Sequence, residues 1–182
     1  MKSESMTTKN IVLAGTPILK EPSKPIRSKD FHTAALQNLI DSLFETMAQK
    51  NAVGLSAVQI GVPLTVFVYG FDSNPRYPGE GPIPKTVIIN PEILKKSETL
   101  SKSYEGCLSL PNVRGEVLRH DWIEFEALDH KGHLITKTIS GFEARIFQHE
   151  LDHTQGILFP ERMTDLKTLG ITEALRAAGI IP

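Results

Sequence analysis

The segment "QHELDH", Gln148 to His153, sets two histidines four residues apart with a glutamate directly after the first. Residues i and i+4 share one face of a helix, so His149 and His153 can aim their imidazoles at one ion while Glu150, one position round, reaches a water beside it. The surrounding sequence predicts that helix. Ser140 followed three residues later by Glu143 has the capping-box pattern, and Gly156 supplies a stop. The competing reading is a pair of solvated histidines on a helix surface.

What decides the chemistry is a third donor, because a catalytic site of this kind takes three protein ligands and keeps a position open for water. One metallopeptidase class places a third histidine six residues after the second, but Phe159 stands there and its ring cannot ligate. A thermolysin-like peptidase would use a glutamate from a later helix, and Glu173 in "ITEALRAAG" is that candidate. The remaining donor is Cys107 in "YEGCLSLP", the only cysteine of the chain and a strong ligand as thiolate. Its setting favours it. Gly106 permits close backbone approach, and Glu105 and Ser109 make the neighbourhood unlike that of a cysteine in an apolar core. Glu173 has little chain after it to hold its helix against a core. Two further readings stand beside these: Cys107 as a covalent nucleophile with His149 as base, and a structural metal-binding domain.

The rest of the chain frames the helix. From Asp30 to about Gln49 apolar residues recur at Leu36, Leu39, Ile40, Leu43, Phe44 and Met47, which predicts a packing helix capped by Asp30. The runs "LTVFVYG" and "KTVIINP" read as strands joined by a surface loop rich in proline and glycine, residues 72–84. "WIEFEALDHKGHLITKTI" reads as a hairpin turning at Lys131-Gly132, with His130 and His133 solvated. Strands that precede a buried helix without regular strand-helix alternation predict an α+β fold, antiparallel sheets packed round the helix of the two histidines. The length of 182 residues fits one domain, with a flexible tail at about residues 1–10.

Charge and cysteine usage narrow the setting. With 20 Lys+Arg against 21 Asp+Glu, spread along the chain, nothing resembles the electrostatic footprint of a nucleic-acid binder. A single cysteine excludes an intrachain disulfide and points to a reducing compartment. No apolar run has the length of a membrane span, and the first residues lack the apolar core of a signal peptide. A cytoplasmic, bacterial protein is expected; an organellar form with its presequence removed would read the same way.

Three stretches together resemble the peptide deformylase family: "VGLSAVQIG" (Val53 to Gly61), "EGCLS" (Glu105 to Ser109) and "QHELDH". The resemblance implies a metal-dependent hydrolase that removes the formyl group from the N-terminal formylmethionine of new polypeptides and releases formate. It implies Cys107, His149 and His153 as ligands, Glu150 as acid/base, and Gln59 with the Leu108 amide as the oxyanion site. Val53, Gly54, Glu105, Arg114, Phe142 and Ile146 are expected near the substrate. The ion implied is Fe(II), while a thiolate with two imidazoles equally accepts Zn(II), Ni(II) or Co(II). Nascent chains at the ribosome are the expected partners, and a monomer the expected state. The sequence departs from the family at Ser56, where alanine is usual, and at Ala52, where glycine is common; both residues are small, and local adjustment is all that is expected.

Overall fold

A computed structural model describes residues 8–182. Of the tail expected at about 1–10, residues 1–7 lie outside the described residues, and Lys9 is tied down by its amide, which donates to Thr46 Oγ1 at 3.0 Å. The helix α1 (Ala34–Gln49) is followed by strands β1 (Gly54–Ser56), β2 (Val66–Phe71), β3 (Ile83–Lys96), β4 (Leu100–Cys107), β5 (Leu110–His120), β6 (Trp122–Leu128) and β7 (Leu134–Ser140). The helix α2 (Gly141–Thr154) comes next, then β8 (Gly170–Ile171) and the short α3 (Thr172–Ala177). Among the described residues the strands form two antiparallel sheets, ordered β1-β2-β3-β6-β7 and β4-β5-β8. This is the α+β architecture with antiparallel pairing that the sequence predicts.

Layering explains the uninterrupted apolar run of β2, every residue of which is buried. Alternate side chains of a strand face opposite sides of a sheet. Val66 and Val68 pack with Leu36, Ile40, Leu43 and Met47 of α1, while Phe67 and Tyr69 pack against α2. Phe147 is the anchor of α2: its ring lies 5.2 Å edge-on from Phe67 and 4.3 Å from Phe125. With Phe147 seated on the large sheet, the flank of α2 that carries His149 and His153 turns toward the end of β4. Burying an aromatic side chain of this size contributes about 2 to 3 kcal/mol, so the orientation of the helix is set by packing.

Two capping expectations are corrected. The first helix starts at Ala34, not near Asp30, and its cap is Thr33, whose hydroxyl accepts from the Leu36 amide at 3.3 Å. His32 takes a left-handed conformation (φ 59°) that turns the chain between Asp30 and the helix, and Asp30 pairs with Arg27 instead. Ser140 does sit at the N-cap of α2, but its side chain makes no capping bond. It is still paired with Trp122 in the sheet, and the carboxylate of Glu143 accepts from the Tyr69 hydroxyl at 3.0 Å. At the other end Gly156 (φ 76°) serves as predicted: a Cβ there would stand 2.6 Å from the Lys20 carbonyl carbon.

Candidate metal centre and cleft

The sulfur of Cys107, a ring nitrogen of His149 and one of His153 all lie within 4.8 Å of one another. Cys107 arrives there because β4 ends in an irregularity: the register with β5 shifts between Gly106 and Cys107. Cys107 Sγ is 3.3 Å from His153 Nε2. Two such donors on a tetrahedral ion at ordinary metal–sulfur and metal–nitrogen lengths would be roughly 3.6 Å apart, so the spacing fits a shared cation. His149 Nδ1 is 2.9 Å from Glu105 Oε2, which leaves Nε2 for an ion, the arrangement by which a carboxylate fixes the tautomer of a ligating histidine. Glu173 is exposed on α3 and takes no part in this group, so the glutamate-ligated alternative lacks its ligand. Phe159 is buried against Cys107 and Val117, a wall of the site.

Glu105 is the hub of a buried charge network. Arg119 grips it through two bonds of 3.0 Å, and Arg145 Nη1 adds a third at 2.9 Å. Arg119 also reaches Asp152 Oδ2 at 2.6 Å, and Arg162 closes the chain on Asp152 Oδ1 at 2.7 Å. Glu105 was expected beside the substrate; it does border the cleft, but its carboxylate faces His149 and the arginines. Burial would push its pKa up, yet Arg119 and His149 outweigh that and hold it well below the carboxylate range. For Cys107, burial likewise raises the thiol, while His153 and His149 pull it well below its usual value toward the thiolate, the ligating form. Burial and the loss of water lift Glu150 above an ordinary glutamate, against the pull of His153, His149 and the Ser56 hydroxyl.

The cleft itself is lined by Val53, Gly54, Gln59, Leu108, Phe142, Ile146, His149 and Glu150. Gly54 must be glycine, because a Cβ would stand 2.6 Å from Glu150 Oε1 and 2.9 Å from Ile146 Cγ2. Gln59 accepts from the Ser56 amide at 2.9 Å through Oε1 and turns its NH₂ toward Cys107 Sγ (3.4 Å) and Ser109 Oγ (3.3 Å). Arg114 is not in the lining. It packs behind Gly106, with its guanidinium 5.7 Å from the centre of the Tyr77 ring.

Several contributors were missed in the sequence. Arg76 and Tyr77, from the loop at 72–84, border the cleft, and the Tyr77 ring lies 4.7 Å from that of Phe142. The signal was a lone aromatic and a lone arginine in a loop otherwise made of turn residues. Tyr104 and Arg145 also border it. His133 is solvated, as expected, whereas His120 has a partner the sequence did not disclose: its Nδ1–H donates to the Ser97 carbonyl at 2.6 Å.

Comparison with known proteins agrees with this geometry. The family model for polypeptide deformylase matches residues 8–169. The chain is 44% identical to peptide deformylase 2 of Ralstonia nicotianae over 91% of its own length and 92% of the relative. It is 41% identical to peptide deformylase 1 of Nitrosomonas europaea, covering 92% of this chain and 94% of that one. Among solved structures, the Met-Ala-Ser-bound class I type b peptide deformylase of Acinetobacter baumannii superposes with a TM-score of 0.85 at 35% identity, over 87% of this chain and 99% of that chain. A plant peptide deformylase gives a TM-score of 0.78 at 36% identity, over 94% of this chain and 86% of that one.

Proposed function

The chain belongs to the polypeptide deformylase family, metal-dependent hydrolases that remove the N-formyl group from N-terminal methionine, and on that premise we propose which of its residues carry the reaction. Cys107, His149 and His153 hold the ion; the observation that carries this reading is the convergence of one sulfur and two ring nitrogens within 4.8 Å, with His149 oriented by Glu105. Bound there, a divalent cation supplies a Lewis acid and can lower the pKa of a water to about 7. Fe(II) is the physiological ion in this reading, and a thiolate beside it makes the enzyme oxygen-sensitive.

Glu150 is the acid/base. It lies beside the donors but belongs to no ligand set, and burial raises its proton affinity toward the range where one carboxyl can both take and give a proton. Glu150 takes a proton from the attacking water and returns it to the methionine nitrogen as the C–N bond breaks, so formate and a free amine leave. The Gln59 NH₂ and the Leu108 amide stabilise the tetrahedral oxyanion; losing one such donor costs about 3 kcal/mol of barrier. Val53, Phe142 and Ile146 form the apolar pocket for the methionine side chain, and Gly54 lets the peptide backbone approach. The ribosome as site of action, the monomeric state and a bacterial cytoplasmic location belong to the same reading; bacterial relatives and a single cysteine support the location.

The test is metal-loaded protein, prepared without oxygen, given formyl-Met-Ala-Ser, acetyl-Met-Ala-Ser and an unblocked peptide in parallel. Formate release from the first alone is expected. Cleavage within the unblocked peptide without formate would sink the assignment.

A further inference from the structure

The strand β1 offers one face of two residues to Glu150. Gly54 and Ser56 are two apart on an extended strand, so their side-chain positions point the same way. At the first, glycine leaves the space that Glu150 Oε1 occupies. At the second, the Ser56 hydroxyl lies 2.8 Å from Glu150 Oε2. One carboxylate oxygen is thus let in and the other is held. Ser56 is wholly buried, 0% exposed, so water does not compete for that bond.

We propose that Ser56 is the positioning residue of Glu150, an inference that rests on the acid/base role given to Glu150 above. A glutamate has three side-chain torsions, and the last is broad and nearly two-fold; without an anchor the carboxylate would sample orientations that do not face the reacting atoms. The hydroxyl proton has two acceptors in reach, Oε2 and the Glu150 main-chain oxygen at 3.0 Å. The nearer, charged one is the stronger, and the second keeps the hydroxyl registered on the same helical turn. Ser56 also holds the other catalytic side chain, because its amide donates to Gln59 Oε1. The main chain of one residue places the oxyanion donor and its side chain places the acid/base. An alanine here keeps the amide that holds Gln59 and removes only the hydroxyl that holds Glu150.

The experiment compares Ser56→Ala with the native enzyme, both metal-loaded and free of oxygen, on formyl-Met-Ala-Ser. The expected result is a kcat about tenfold lower, the scale of one hydrogen bond to a charged group, with KM within twofold and one ion per chain retained. The visible spectrum of the cobalt-loaded protein should be unchanged, since the ligand set is untouched. An unchanged kcat overturns the proposal, as does a loss that appears in KM, in metal content or in the cobalt spectrum, each of which marks a structural role. Glu150→Gln, run alongside, separates the two readings: if it keeps turnover, the acid/base assignment fails; if it is inactive while Ser56→Ala keeps full kcat, only the positioning role fails.

Discussion

The floor of the cleft and its rim are built of opposite materials. On the floor, Glu105 and Arg119 are each only 5% exposed, and Glu105, Arg119, Arg145 and Asp152 are joined in one chain of buried ion pairs. The rim, residues 72–82, carries Pro75, Pro78 and Pro82; Asn74 donates to the Asn51 carbonyl at 3.0 Å, and Tyr77 lies between Phe142 and the Arg114 guanidinium. Buried charge tolerates no displacement, because an uncompensated ion in a dry interior is costly; a surface loop held by a few side-chain contacts can be altered cheaply. Reaction and selection are therefore separable, and substitutions on either side should divide into changes of kcat and changes of KM.

The largest effect expected is on the donors. Alanine at Cys107, His149 or His153 should lower bound metal from about one ion per chain to a trace and abolish formate release, whereas Glu173→Ala should change neither; elemental analysis beside the formate assay reads both. Next comes Glu105→Gln, which leaves Arg119 and Arg145 short of a counter-charge. It should cost roughly 3–5 kcal/mol of stability in urea unfolding and weaken metal binding about 10- to 100-fold by freeing His149.

The same variant sharpens the comparison by pH. Glu105 is held below its unfolded pKa, so the stability it supplies is complete above about pH 4.3, the ordinary glutamate value. It drains away as the pH falls below that toward the depressed folded value. Urea unfolding of the native protein should weaken through that acid window, and the Glu105→Gln protein should lose that share of the slope. The smallest effects belong to the rim. Tyr77→Ala should raise KM for formyl-Met-Ala-Ser about three- to tenfold, on the scale of one aromatic contact, with kcat, metal content and Tm unchanged; Arg76→Ala, half-buried at the mouth, should do less.

This division also governs how much could be read from the sequence. The three donors that converge in the structure were legible because two of them obey helix spacing and the third is the only cysteine, set between Gly106 and Leu108. The network behind them was not. Arg119 comes from β5 and Arg145 and Asp152 from α2, and nothing local tells a buried arginine from a solvated one. The capping pattern at Ser140 misled because the residue is still a sheet residue, and Glu143 is claimed by Tyr69, 74 positions away in the chain. Ser56 read as a small-for-small exchange because its partner, Glu150, is 94 positions distant. β2 and β3 were legible as β-branched and aromatic runs, and β6 through the alternation of its burial, whereas the long β4–β5 pair was not read as strands.

The proposed chemistry requires Glu150 to act beside the metal donors and not among them. The direct measurement is metal content and formate release for Glu150→Gln next to Cys107→Ala. Glu150→Gln should keep one ion per chain and lose turnover by about 10²- to 10⁴-fold, the scale of general acid/base catalysis, while Cys107→Ala loses the ion. A metal-loaded Glu150→Gln enzyme that still releases formate at a native rate, or a Cys107→Ala protein that keeps its ion, would contradict it.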